Sequence, residues 1–355
     1  MTQTQSPLIH LVASIETNPM FAMSLGGKEL FDSNLLAWFV QHHPEAADAL
    51  LQTWTDTAAR SPVTVVREWK NTDLVLRSDD CMLVIENKAF ALPDESQLDR
   101  YATKLTNDMG DASALVLLSL TAPTWPTHTY TTPTGHMWTW RSYLDLAAVL
   151  RSAQPAVTRR DPYAGATLER WLGLLGDLGA LVSTVGCPSP EEPLMLPKEQ
   201  RSLLTTARLD APVQKMRCQA VAALLRARGV AAEAKLTNGT GLVEWFTPGP
   251  GLRLGWQLQG EQFRLAAIVP QEHPGFGRNA AARLARQDAA HEYLRFFRFD
   301  ALPTSEPVRP ADGGWLRFDP SFVYRYVPMS GVTMDQIVTA GTELTRQAQL
   351  ALAAA

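Results

Sequence analysis

The chain reads as an α/β protein, a mixed β-sheet flanked by helices, with a C-terminal α+β region. Three observations carry that reading. Strand-like runs over residues 63–69, 72–77 and 81–88 follow one another directly, as in an antiparallel meander. A helix pattern over 94–105 then leads to the continuous apolar run 114–120, the order that adds a strand in parallel through a crossover. Beyond residue 153 short strand patterns alternate with helix patterns, and no internal repeat is present.

Residues 27–40 form the first helix, because Leu30, Phe31, Leu35, Trp38 and Phe39 recur at helical spacing and Pro44 follows the end. Val, Leu and Trp dominate 63–69 and 72–77, and Asp79-Asp80 turns the chain into the third strand. Pro93-Asp94 opens the next helix. After a Pro/Thr-rich loop over 122–135 come a short strand at 137–140 and a helix at 143–151. Further helices are expected over 163–185, 213–228, 278–297 and 334–353, with strands at 241–246, 252–258, 262–268 and one long strand within 315–326. Residues 186–199, rich in Pro and Glu, read as a linker or long loop. The expected division is a first domain over 1–155, a helix and Pro-rich linker over 156–200, and an α+β accessory domain over 201–355.

Bulk composition limits the function. With 355 residues, 46% of them apolar and 19% charged, there is ample material for a core. A net charge of −4 argues against a surface that coats nucleic acid all round, so any such contact is a local patch. Cys81, Cys187 and Cys218 are odd in number and widely spaced, which implies reduced thiols rather than a disulfide frame or a metal pair. No signal peptide and no membrane-length apolar run is read, so the expected location is the cytoplasm, without a membrane partner. The histidines are scattered, and His42-His43 at a helix end is expected at the surface.

The chemistry concentrates in one series, Asp73…Glu86-Asn87-Lys88…Gln97-x-x-x-Tyr101. Side chains alternate along a strand, so Val84, Glu86 and Lys88 share one face and Leu83, Ile85 and Asn87 the other. A hairpin turning at Asp79-Asp80 sets Asp73 opposite the region of Glu86. Converging carboxylates repel unless a cation lies between them, and Mg²⁺ favours oxygen donors while keeping several waters. Lys88 could hold or deprotonate an attacking water, or neutralise a phosphorane oxygen. The main-chain carbonyl of Asn87 is a plausible further donor. The plain alternative for Glu86 and Lys88 is a surface ion pair on a hairpin. Gln97 and Tyr101, one turn apart, share a helix face. Yet Gln97 equally suits a capping box with Asp94, and Tyr101 a core position. In the first helix Glu29 lies one turn before Ser33; it is either a third carboxylate for the metal or an acid stabilised by the helix dipole. Asp32 and Asn34 are poor mid-helix residues and need a reason to be there.

These residues resemble the PD-(D/E)xK nuclease superfamily over roughly residues 27–150, and the Gln-x-x-x-Tyr element resembles its RecB-like branch. The segment from Glu29 to Trp38 and the Arg67-Glu68-Trp69 strand are similar to a bacterial family within it. The resemblance implies a restriction-endonuclease-like core of order α-β-β-β-α-β. It implies Asp73, Glu86 and Lys88 as catalytic residues and Mg²⁺, with Mn²⁺ as substitute, held by Asp73, Glu86, Asn87 and Glu29. Gln97 and Tyr101 would support the site. The residue before Asp73 is Thr72 rather than proline, a departure that weakens the likeness little. The implied function is a metal-dependent deoxyribonuclease, acting as endonuclease or exonuclease in defence against foreign DNA or in DNA repair. The alternatives are a ribonuclease using the same site, or a non-catalytic module that binds nucleic acid or a partner protein. In the second half Arg278, Arg283 and Arg286 read either as a phosphate-binding face or, more simply, as a solvated helix face interrupted by Asp288 and Glu292.

Overall fold

In the computed structural model the described residues are 5–24, 28–57, 62–90, 95–110, 113–123, 125, 127–186 and 189–354, excepting the side chains of 5, 6 and 28–30. The helices are α1 (Gln5–Thr17), α2 (Pro19–Ser24), α3 (Lys28–His42), α4 (Pro44–Thr55), α5 (Glu95–Leu105), α6 (Tyr143–Arg160), α7 (Pro162–Leu181), α8 (Lys198–Thr206), α9 (Asp210–Ala227), α10 (Ala280–His291) and α11 (Met334–Ala353). The strands are β1 (Thr64–Trp69), β2 (Thr72–Arg77), β3 (Met82–Lys88), β4 (Ser113–Ser119), β5 (Thr129–Thr131), β6 (Met137–Ser142), β7 (Glu233–Thr237), β8 (Thr240–Phe246), β9 (Arg253–Gln259), β10 (Gln262–Ile268), β11 (Leu316–Phe318) and β12 (Phe322–Pro328). They divide into one unit of Met1–Gly186 with Ser202–Leu209 and another of Cys187–Arg201 with Asp210–Ala355. Among the described residues no helix is long and apolar enough to cross a membrane.

The first unit holds a mixed sheet of order β1-β2-β3-β4-β6-β5, flanked by helices, so the α/β class is present as read. β1, β2 and β3 are antiparallel neighbours, whereas β3, β4 and β6 run parallel. The β1–β2 hairpin closes through Lys70 and Asn71 at φ 52° and 75°, a left-handed pair that matches strand twist. Ser78 Oγ accepts the Asp80 and Cys81 N–H groups and so fixes the next turn. On one sheet face Val75, Val84, Leu115, Leu117 and Trp138 pack against Leu98, Ala102 and Leu105, the apolar stripe of α5. That stripe therefore sets α5 against the face that carries Glu86 and Lys88. β5 lies inside the segment expected as loop; it is a three-residue edge strand, too short for a periodic signal.

Pro44 does not simply end α3. It begins α4, with His43 at the N-cap, because proline suits the first helical position where no N–H is needed. This corrects the expected surface position of His43. Its ring is 3% exposed and packs against Trp38 and Phe39, while His42 stays exposed. Burial holds the His43 imidazole below its ordinary pKa of 6.5, against the upward pull of Asp161 and Glu45; Arg160 and His42 add to the lowering.

The second unit is an antiparallel sheet of order β11-β12-β10-β9-β8-β7. Val243, Trp245, Leu254, Trp256, Leu258, Phe263, Leu265 and Val323 bury one face under α9 and α11. Trp256 donates its indole N–H to Thr345 of α11 at 3.1 Å. The single strand expected within 315–326 is instead β11 and β12, folded back at Asp319-Pro320-Ser321. The helix expected over 278–297 stops at His291, and a short 3₁₀ turn at Phe296–Arg298 places both phenylalanines in the core. Cys81 and Cys218 are free, buried thiols, and burial pushes Cys218 up to about 12. Cys187 lies outside the described residues.

Two consequences are measurable. A neutral buried histidine lets the unfolded state bind a proton that the folded state refuses, so stability is complete above pH 6.5 and is lost as pH falls below it. Urea unfolding at stepped pH is expected to show a smaller acid loss in His43→Gln than in the wild type; identical pH profiles would rule His43 out as a contributor. In the second sheet a Cβ on Gly255 would lie 2.2 Å from the Trp245 carbonyl oxygen and 2.5 Å from the Phe246 ring. Gly255→Ala should lower stability by about 1–3 kcal/mol in urea, the range expected of overpacking.

Candidate active site

The series read from the sequence comes together at the end of β3. The β2–β3 ladder pairs Arg77 with Met82 through to Leu74 with Ile85, and one further step in that register sets Asp73 against Glu86. Directly opposed residues have Cβ atoms roughly 5 Å apart. The Asp73 carboxylate accepts the main-chain N–H of Asn87 at 2.7 Å, which fixes it beside Glu86. Glu86 is only 2% exposed, and Lys88 Nζ lies 2.9 Å from its Oε1. The pair sits too deep for the plain reading of a surface ion pair, since the Lys88 side chain is only 17% exposed.

Gln97 and Tyr101 reach this cluster from α5. Gln97 Nε2 donates to Tyr101 Oη at 2.6 Å and lies 3.4 Å from Glu86 Oε1. The capping alternative for Gln97 depends on Asp94, which lies outside the described residues. Glu29 falls on α3, but its side chain is also outside them.

Asn87 divides its roles by strand alternation. Its backbone stands between Glu86 and Lys88, while its side chain enters the opposite, buried side of the sheet. There Asn87 Nδ2 donates to Ser33 Oγ at 2.9 Å, and Tyr143 Oη donates to Asn87 Oδ1 at 2.6 Å. Tyr143 Oη also lies 3.5 Å from Asp32 Oδ2, and the Trp171 indole N–H donates to Asp32 Oδ1 at 3.0 Å. Every member of this chain is buried. It ties the end of β3 to α3, α6 and α7. Here is the reason for Asp32 within a helix: it accepts the Trp171 indole N–H and stands beside the Tyr143 hydroxyl. Tyr143 and Trp171 were not singled out from the sequence. Both look like ordinary core aromatics, and only the unusual Asp32 hinted that a donor was needed.

The donor set suits a hard cation. Asp73 and Glu86 supply carboxylate oxygens, and Mg²⁺ commonly binds through one or two carboxylates with water completing the shell. No group of three or more His, Cys, Asp or Glu side chains is gathered among the described residues. Asp73, Glu86 and the Asn87 carbonyl are the groups that would hold the ion.

The arginines of α10 form a different structure from either expectation. Arg286 is 1% exposed and donates to the carbonyls of Gly275, Gly277, Phe318 and Phe322 and to Asp319. Arg283 pairs with Asp319 at 2.6 Å. Arg283 and Arg286 thus tie loops together, while Arg278, Asp288 and Glu292 stay exposed, as the solvated-face reading expects.

A family model described as the PD-(D/E)XK nuclease superfamily matches residues 18–171. The match ends on Trp171, so it takes in the buried network as well as the acidic cluster. Comparisons with curated proteins and with solved structures give no match.

The buried network predicts a specific cost. Tyr143→Phe keeps the ring but removes the hydroxyl that Asn87 Oδ1 accepts. Urea unfolding should show a loss of about 1–3 kcal/mol, the range for breaking a buried hydrogen bond from one side. A change under about 0.5 kcal/mol, the size of a neutral surface substitution, would mean that the network contributes nothing.

Proposed function

We propose, from the match of residues 18–171 to the PD-(D/E)XK nuclease superfamily, that the site hydrolyses phosphodiester bonds in DNA with the help of a divalent metal ion, Mg²⁺ or Mn²⁺. The observation that carries the reading is the meeting of Asp73, Glu86 and Lys88 where β3 ends.

Each residue has a role that follows from its surroundings. A bound divalent ion supplies a lowered pKa for water and positive charge beside the phosphate. Asp73 and Glu86 would hold that ion, and the Asn87 N–H keeps the Asp73 carboxylate turned towards Glu86. Lys88 keeps its ammonium 2.9 Å from Glu86, where it can hold an attacking water or meet the charge that builds on a phosphate oxygen. Gln97 and Tyr101 steady Glu86 from the helix side, as positioning residues. In the net reaction a water oxygen bonds to phosphorus and the bridging P–O bond breaks. The departing oxygen takes up a proton, and the water gives one up.

A role in defence against foreign DNA or in DNA repair is consistent with such an activity. RNA is the second substrate of the same chemistry. The net charge of −4 favours the other alternative, a nuclease fold kept for binding alone.

Purified protein should nick or degrade DNA with Mg²⁺ and stop when chelator is added. Lys88→Ala should lower the rate by about 100-fold or more, the usual effect of removing one group that stabilises transition-state charge. Asp73→Ala should abolish the heat of Mn²⁺ binding in calorimetry. Equal inertness of wild type and Lys88→Ala on single-stranded, double-stranded, linear and circular DNA would remove DNA hydrolysis. An RNA substrate run in parallel distinguishes a ribonuclease.

A further inference from the structure

The antiparallel sheet of the second unit has two unlike faces. One is the apolar face packed by α9 and α11. The alternate residues form the other, and the β10–β12 and β11–β12 registers place Phe318, Phe322, Tyr324 and Tyr326 on it, with Phe246 on β8, beyond the two intervening strands β10 and β9. The rings make a continuous array. Phe246 and Phe322 have centroids 6.0 Å apart, Phe322 and Tyr324 5.6 Å, and Tyr324 and Phe318 5.3 Å with nearly parallel planes. Phe318 is 52% exposed and is the most open ring of the array.

Cations are set among these rings. The Arg253 guanidinium lies 5.4 Å from the Phe246 centroid, and that of Arg264 lies 5.0 Å from Tyr324. Arg264 is only 8% exposed, yet it bonds to the amide oxygens of Gln259 and Gln262 and forms no ion pair among the described residues. A guanidinium withdrawn from water is ordinarily matched by an anion. It lines a cavity of about 680 Å³ together with Lys198, Arg201 and Tyr326; Glu261 is a carboxylate on the same wall.

We propose that this face binds single-stranded nucleic acid, with bases stacked on the Phe318–Phe322–Phe246 array and the phosphate backbone drawn to Arg264 and Lys198. Stacking surfaces flanked by arginine suit unpaired bases, whose faces are open, and not the paired bases of a duplex, whose faces are covered. The proposal builds on the nuclease reading of the first unit and names the form of substrate that the chain grips, but its test needs no cleavage.

The full chain is titrated, in chelator, against fluorescein-labelled oligonucleotides of about twenty residues, oligo(dT), oligo(U) and a duplex, with anisotropy as the readout. Single strands should bind more tightly than the duplex; the ratio of oligo(dT) to oligo(U) tells DNA from RNA. Phe318→Ala should weaken single-strand binding roughly tenfold, as loss of one stacking partner does. Arg264→Gln should weaken it similarly and flatten its dependence on salt. Phe318 is half exposed, so its variant tests the face even where Arg264→Gln does not fold. Unchanged affinity in Phe318→Ala, or tighter binding of the duplex, overturns the proposal. Binding in chelator with no cleavage once Mg²⁺ or Mn²⁺ is supplied overturns the nuclease reading alone, and cleavage with unaltered binding by Phe318→Ala overturns this inference alone.

Discussion

The geometry at the end of β3 depends on a hydrogen-bonded chain on the far side of the sheet. Alternation along the strand gives Glu86 and Lys88 one face and forces Asn87 to the other. A short polar side chain buried there would cost stability unless all its hydrogen bonds were met. Ser33 and Tyr143 meet them, and Asp32 and Trp171 extend the chain to α3 and α7. The backbone of Asn87 is held from behind, and through its N–H it holds Asp73 in front. Asp73 is thus oriented through a buried chain anchored on α3, α6 and α7.

Much of this was readable from local pattern. The run Met82–Lys88 carries both its burial and its alternation in its own sequence, and so do the α5 stripe and the meander that precedes it. Asp32 announced itself by being out of place in a helix. Its partners did not, because Tyr143 and Trp171 are 111 and 139 residues away and have the spacing of ordinary core aromatics. His43 misled for a related reason: Pro44 signals a helix end as readily as a helix start, and only the packing of Trp38 and Phe39 decides which. Arg286 shows the same limit. Nothing in its own helix reveals that four distant carbonyls wait for its guanidinium.

The two sheets solve the problem of a bare face differently. The first is wrapped on both sides, with α5 on the Glu86 face and the Asn87 network on the other, so its chemistry is confined to a strand end. The second gives one face to α9 and α11 and fills the other with rings, arginines and amides that shield one another.

The length of the Asp32–Trp171 bond has a consequence in time. A chain leaving the ribosome has made the entire acidic series by residue 101, but the indole that holds Asp32 comes only at residue 171. At about 5–20 residues per second, several seconds separate the two events. During synthesis the acidic series therefore exists before the buried chain behind it is complete.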